Sequence, residues 1–283
     1  MAFVHTSDGI RLHYDVVGRR DAEPLLMIQG LGVDSRGWIL QRLAFARRYR
    51  VVTFDNRGVG RSDKPMGPYD LERMALDAIE VLDAAGVESA HVMGASMGGV
   101  IAQILALRHP ERIRSLVLAC TACRHQGWRR WLLEQWAEEA RDHGMRAWAS
   151  HNLRWIVGPR SLRRFWPAFN ALSGVFVSAP AHAFVAQVRA ILDIDDSLRD
   201  AVPDNAPPTL VICGSQDILT PQSDSEELAE LIPGAELVVI RGASHGCMIE
   251  AAPAFNRAVG EFLGRVVEER HAAIEAAAPA VAG

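Results

Sequence analysis

The stretch His91-Val-Met-Gly94-Ala95-Ser96-Met97-Gly98-Gly99-Val-Ile-Ala-Gln-Ile-Leu-Ala-Leu-Arg108 decides how the chain is read. A short apolar run, His91 to Met93, enters Gly-x-Ser-x-Gly, and an apolar segment leaves it. Val100, Ile101, Ile104, Leu105 and Leu107 cover most of a helix surface, which predicts a buried helix. Strand, sharp turn and helix form the setting in which a serine is pushed out of a sheet as a nucleophile. Glycines two residues before and after that serine let strand and helix approach where a Cβ would collide. The helix N-terminus points at the serine and favours negative charge developing beside it.

Outward from this stretch, strands and helices alternate. Phe3–His5 and Arg11–Val17, separated by Ser7-Asp8-Gly9, read as a hairpin. Leu25–Ile28 and Val51–Phe54 are continuous apolar strands, and Ile113–Ala119 is another. Residues 36–48 read as a helix with Trp38, Leu43 and Phe45 for burial. Asp70 N-caps a helix carrying Leu71, Met74, Ala75, Ala78, Ile79 and Leu82, and Gly86 ends it. Strands that are apolar throughout, rather than alternating, indicate a parallel sheet covered on both faces.

The pattern changes between residues 122 and 200. No strand is evident there. Helical stripes are: Trp128, Trp131, Leu132, Trp136; then Leu162, Phe165, Phe169, Leu172; then Phe184, Val185, Val188, Ile191, Leu192. Six of the seven tryptophans fall here, so we expect a helical insertion with some rings facing a cavity, Trp128 and Trp155 among them. Alternation resumes with Thr209–Cys213, then Thr220-Pro221 as a cap and first-turn pair, a strand at Glu236–Ile240, and a last helix through Phe255, Val259, Phe262, Leu263 and Val266. The expected division is a core of 1–121 and 201–270, a helical cap of 122–200, and a loose tail of 271–283.

The totals exclude several classes. The chain has 283 residues, 49% of them hydrophobic, enough for a sizeable core. Its formal net charge of -4 argues against a nucleic-acid partner. No apolar run reaches membrane-spanning length, and the first residues lack the basic start and apolar centre of a signal peptide, so a cytoplasmic location is expected. Cys120 and Cys123 form a lone C-x-x-C that no second pair completes; with Cys213 and Cys247 they read as reduced thiols, not as a zinc site. Oligomeric state is left open, a homo-oligomer included.

A serine hydroxyl needs a histidine base, and that base needs a carboxylate to hold its tautomer. Gly214-Ser-Gln-Asp217 follows the strand at 209–213, and Gly242-Ala-Ser-His245-Gly246 follows the strand at 236–240. Both therefore lie at the carboxyl ends of parallel strands, on the sheet edge that carries Ser96, in the order Ser, Asp, His. Asp195 and Asp196 are the reserve carboxylates. His125, His151 and His182 lie in the insertion and read as structural or surface residues, and Asp55 and Arg57 as a structural turn.

These motifs together resemble the α/β-hydrolase fold superfamily, in its serine esterase and enol-lactonase-like branch. The resemblance rests on Gly94-x-Ser96-x-Gly98-Gly99, Asp55-x-Arg57-Gly58-x-Gly60-x-Ser62, Gly214-x-x-Asp217 and Ser244-His245-Gly246, and runs from about residue 3 to 267. It implies a mostly parallel eight-stranded sheet flanked by helices, with 122–200 as a cap. It implies Ser96 as nucleophile, Asp217 as acid and His245 as base. It further implies an oxyanion hole from the backbone N–H groups of Leu31 and Met97, with Gly30 beside the substrate. The sequence departs from the commonest pattern at Gln29, where many members have histidine. Members resembling haloalkane dehalogenases and epoxide hydrolases use aspartate at the turn, and Ser96 argues against both. Serine suits acyl transfer from a small-molecule ester, lactone or thioester to water, without metal or organic cofactor. An enol-lactonase-like activity and a ligand-binding protein with little turnover are the alternatives. The nine arginines against four acids in 124–164 would serve a substrate carboxylate or form a solvated basic face.

Overall fold

The computed structural model describes residues 2–163, 177–194, 197–201 and 206–277. Phe165, Trp166, Phe169, Leu172, Asp195 and Asp196 lie outside the described residues. Eight strands form one sheet: β1 Ala2–His5, β2 Arg11–Val17, β3 Glu23–Ile28, β4 Tyr49–Phe54, β5 Ala90–Ala95, β6 Ile113–Ala119, β7 Thr209–Gly214 and β8 Glu236–Ile240. Their order is β1-β2-β4-β3-β5-β6-β7-β8. The β1–β2 and β2–β4 pairs are antiparallel and the rest are parallel, the expected mostly parallel eight-stranded sheet.

Both faces of the central strands are buried, and these strands show why they read as unbroken apolar runs. Leu26, Ile28, Val52, Phe54, Val92, Leu116 and Leu118 pack into one core. Their chain neighbours Leu25, Met27, Val51, Met93, Val117 and Ala119 pack into a second core on the other face. Successive side chains alternate in direction, so a strand covered on both sides needs an apolar residue at every position.

The helices include α1 Ile39–Phe45, α2 Leu71–Ala84, α3 Met97–Arg108, α4 Gly127–Asn152, α5 Ala181–Leu192, α6 Gln222–Leu231, α7 Cys247–Glu250 and α8 Ala252–Ala277, and a further short helix, Ser197–Asp200, precedes β7. Asp70 caps α2 as expected, its side chain accepting from the Glu72 N–H. Every residue of the expected α2 stripe is buried. At α1 the reading fails for Leu43, which is 69% exposed while Trp38 and Phe45 are buried. α8 runs through Ala277, into the stretch read as a loose tail from residue 271. Those residues are alanine-rich and exposed, and alanine has the highest intrinsic helix propensity. No helix among the described residues is long and apolar enough to cross a membrane.

The described part of residues 122–200 is helical, and α4 packs against α5. α4 turns sharply at Gly144, whose φ is 78°. Its buried face carries Arg129, Leu132, Leu133, Trp136, Ala137 and Ala140. That face turns Trp128 and Trp131 outward, at 39% and 60% exposure.

Candidate active site

The parallel register brings five loops to one edge of the sheet. Ile28 lies opposite Gly94, Gly94 opposite Leu118, and Gly214 opposite Ile240. The loops leaving β3, β5, β6, β7 and β8 therefore emerge together, carrying Gly30, Ser96, Thr121, Asp217 and His245.

Ser96 sits between β5 and α3 with φ 53° and ψ -119°, a backbone region that non-glycine residues rarely occupy. Its hydroxyl makes no cap bond to the helix it precedes. The strained turn exists because its neighbours lack side chains. A Cβ on Gly94 would lie 2.1 Å from the Gly98 carbonyl oxygen, and one on Gly98 would lie 2.2 Å from that of Ile28. The Ser96 carbonyl accepts from the Thr121 hydroxyl at 2.8 Å, which ties the turn to the end of β6.

His245 and Asp217 are both buried and share a hydrogen bond, Nδ1 to Oδ2, of 2.9 Å. The carboxylate is held from every side. Its Oδ1 accepts from the Leu219 and Thr220 backbone N–H groups at 2.9 Å each, and its Oδ2 from the Thr220 hydroxyl at 2.8 Å. Burial works to raise the Asp217 pKa, but the His245 charge and these hydrogen bonds outweigh it and hold the carboxyl below its ordinary value. Thr220 thus does something other than the helix capping expected of it. α6 starts at Gln222 with Pro221, which has no side-chain acceptor, at the cap position, so Thr220 lies one residue outside it and its hydroxyl goes to Asp217.

Gly30 faces the serine: a Cβ there would lie 3.1 Å from the Ser96 Cβ and 3.1 Å from the Ala95 carbonyl oxygen. Gln29, in the position where histidine was the commoner expectation, is buried and its Oε1 accepts from the Gly30 N–H at 3.2 Å. The Asn56 side chain holds the Gln29 carbonyl at 3.0 Å. Met97 opens α3, where backbone N–H groups have no helical acceptor. Among the described residues neither the Met97 nor the Leu31 N–H has a hydrogen-bond partner.

These groups share one cavity of about 390 Å³, lined by Gln29, Gly30, Leu31, Ser96, Met97 and His245 on the sheet side. The insertion supplies the opposite wall, with Leu133, Trp136, Trp148, Leu153, Val157 and Ile191. Trp128 and Trp155 do not line it, contrary to expectation. The Trp128 indole donates to Gln126 on the exposed side of α4, and Trp155 packs against the core. His125, read as structural or surface, does line it. No hydrogen bond joins Ser96 Oγ to His245 among the described residues; both residues line the same cavity.

The loop of His245 is also fastened to the insertion. The Gly246 N–H donates to the Ile156 carbonyl at 2.7 Å. Glu250 accepts from the Ser244 N–H at 3.1 Å and from the Gly158 N–H at 3.0 Å. Sequence alone gave no sign of Glu250, because a lone acid in a short helix carries no motif.

Cys120, Asp217 and His245 place three potential ligand atoms within 4.8 Å of one another. The donor set does not fit a metal well. Both Asp217 oxygens and His245 Nδ1 are committed to the network above. The Cys120 thiol, 3.3 Å from the Cys247 sulfur, is pushed well up by that contact and by burial, so it keeps its proton. All four cysteines are free and buried, and C-x-x-C does not pair within itself.

The expected structural turn around Asp55 and Arg57 is present. Asp55 accepts from the Ser35 and Arg61 N–H groups at 2.9 Å each, and Arg57 pairs with Asp77 at 2.6 Å.

Comparison with known proteins agrees with this architecture. The family profile described as alpha/beta hydrolase fold matches residues 23–252. A protein of Azorhizobium caulinodans named as a carbamate hydrolase, RutD, is 32% identical over 94% of this chain and 99% of its own length. The crystal structure of the enol-lactonase from Burkholderia xenovorans superposes with a TM-score of 0.87 at 32% identity, covering 93% of this chain and 100% of that one. A thermophilic esterase from Thermogutta terrifontis superposes with a TM-score of 0.85 at 27% identity, covering 94% and 98%.

Proposed function

The chain belongs to the α/β-hydrolase fold family, and we propose that within it the protein is a serine hydrolase cleaving a small-molecule carboxylic ester through an acyl-enzyme. The observation that carries the reading is a strained, uncapped Ser96 hydroxyl on the same cavity as a buried, carboxylate-paired His245.

In this reading His245 Nε2 takes the Ser96 proton as Oγ attacks the ester carbonyl. Asp217, fixed by two backbone N–H groups and Thr220, keeps the Nδ1–H tautomer and stabilises the imidazolium. The Leu31 and Met97 N–H groups receive the oxyanion, helped by the N-terminal dipole of α3. The imidazolium then protonates the leaving alcohol, and water repeats the sequence to release the acid. The serine–histidine contact closes when substrate fills the cavity, as catalytic hydrogen bonds commonly do.

Lactones and carbamates present the same carbonyl to the same groups, and relatives carry names of both kinds. Recognition of a substrate carboxylate is disfavoured. Among the described residues Arg129 is the cationic side chain on the cavity wall, and its guanidinium is spent on the Leu219 and Arg124 carbonyls and on Asp224. A neutral ester therefore fits better than an anionic enol-lactone.

Labelling with a fluorophosphonate, followed by hydrolysis of a panel of 4-nitrophenyl esters, lactones and carbamates, tests the proposal. Labelling at Ser96 with turnover of esters is expected. Binding of esters without labelling or turnover would favour a ligand-binding protein.

A further inference from the structure

The cavity wall is mostly apolar, and several of its polar side chains are engaged. Thr121 donates to the Ser96 carbonyl, Thr220 to Asp217, and Glu250 accepts two backbone N–H groups. Arg129 is consumed by Asp224 and two carbonyls. Among the described residues His125 is not engaged, and neither are the Trp136 and Trp148 indole N–H groups nor the Ser161 hydroxyl; of these, the His125 ring is the one that can offer a donor on one nitrogen and an acceptor on the other. His125 stands two residues before α4, on the cavity wall, and neither ring nitrogen has a hydrogen-bond partner among the described residues. Its Nδ1 is fully buried.

A polar group on a cavity wall that has no partner among the described residues is available to a ligand, and at His125 that group is Nε2, since Nδ1 is sealed off. Ligand cavities are built this way, with an apolar wall and a few polar groups that fix orientation. Burial, with the charges of Arg129 and Arg130, pushes the His125 pKa down to about 4. Near neutral pH the ring is therefore uncharged, with one nitrogen donating and the other accepting. Neither His125 nor the spent Arg129 offers a net charge for an anion.

We propose that His125 reads an uncharged oxygen substituent, a hydroxyl or an oxo group, on the acyl chain enclosed beneath α4 and α5. The substrate class is then hydroxy- or oxo-acyl esters rather than plain alkanoates. The contact is made at Nε2, because Nδ1 is sealed from the cavity. A hydroxyl can donate to Nε2 or accept from it, and an oxo group accepts when Nε2 carries the hydrogen. This inference rests on the proposed function, and it assigns His125 a substrate contact that the reaction steps themselves do not need.

The test compares kcat/KM for ethyl hexanoate, ethyl 3-hydroxyhexanoate, ethyl 3-oxohexanoate and ethyl 5-oxohexanoate by pH-stat, for the wild type, His125→Phe and His125→Asn. A site built to hydrogen-bond a substrate group discriminates strongly against the analogue that lacks it. The wild type should prefer at least one oxygenated ester by about tenfold or more over ethyl hexanoate. His125→Phe should bring that ratio near one, and His125→Asn should restore part of it. The hydroxy and oxo arms identify which substituent is read. A wild type that prefers ethyl hexanoate to every oxygenated ester would overturn the inference. So would a His125→Phe variant that keeps the preference. Fluorophosphonate labelling, run alongside, separates the two failures: labelled enzyme without the preference sinks only the role of His125, and unlabelled wild type sinks the serine hydrolase itself. If His125→Phe does not fold, the wild-type ratio and His125→Asn decide.

Discussion

Replacing Asp217 by asparagine should nearly abolish turnover while leaving the fold in place, and the structure fixes why. The Leu219 and Thr220 N–H groups both donate to Oδ1, so an amide must put its carbonyl oxygen there. The amide nitrogen then takes the place of Oδ2, which accepts from His245 Nδ1 and from the Thr220 hydroxyl. Two donors would face each other unless His245 changes tautomer. That change puts hydrogen on Nε2, the nitrogen that accepts the Ser96 proton in the proposed mechanism. Loss of the correct tautomer in such a triad lowers kcat by about 10⁴, or about 5 kcal/mol of transition-state stabilisation. The assay is kcat on a 4-nitrophenyl ester across pH, with thermal unfolding as the control for folding. A variant within tenfold of wild type would refute the reasoning, because the carboxylate would then not govern the histidine.

Three further outcomes follow from other parts of the molecule. His91 is fully buried and burial depresses its pKa to about 4, so the unfolded chain binds its proton near pH 6.5 while the folded chain resists until about 4. Stability should therefore fall as pH drops from 6.5 to 4, by on the order of 3 kcal/mol from this group, and denaturant midpoints of His91→Gln should show a shallower slope in that window. Gly98→Ala should destabilise by several kcal/mol in urea unfolding, since its Cβ would strike the Ile28 carbonyl at 2.2 Å and backbone there cannot yield cheaply. Trp136→Ala should change the preference among acyl chain lengths in an ester panel, whereas Trp128→Ala, at an exposed site off the cavity, should leave that preference unaltered.

Much of the fold was legible because its signals are local. Strands buried on both faces need apolar residues at every position, and β3, β4 and β6 have them. The turn at Ser96 needs glycine at two fixed offsets, and Gly94 and Gly98 stand there. Asp217 and His245 follow strands that end at the same edge, so their juxtaposition could be expected from strand order alone. What sequence did not reveal depends on rotation and on distant partners. The face that α4 buries is centred on Arg129, Leu133 and Trp136, and a stripe drawn through Trp128 misses it by part of a turn. Arg129 is buried because Asp224, far along the chain, neutralises it. Thr220 resembles a helix cap until Asp217 claims its hydroxyl. His125 carries no motif, and only the shape of the cavity separates it from a surface histidine.

The central claim is that Ser96 carries the acyl group between the two halves of the reaction. The direct measurement is peptide mass spectrometry of protein acid-quenched during turnover of a slowly deacylated 4-nitrophenyl ester. The account predicts one acyl adduct, on the peptide containing Ser96, absent from Ser96→Ala, with ester hydrolysis lost in that variant. An adduct on another residue, or Ser96→Ala protein that still hydrolyses the ester at a comparable rate, would contradict it.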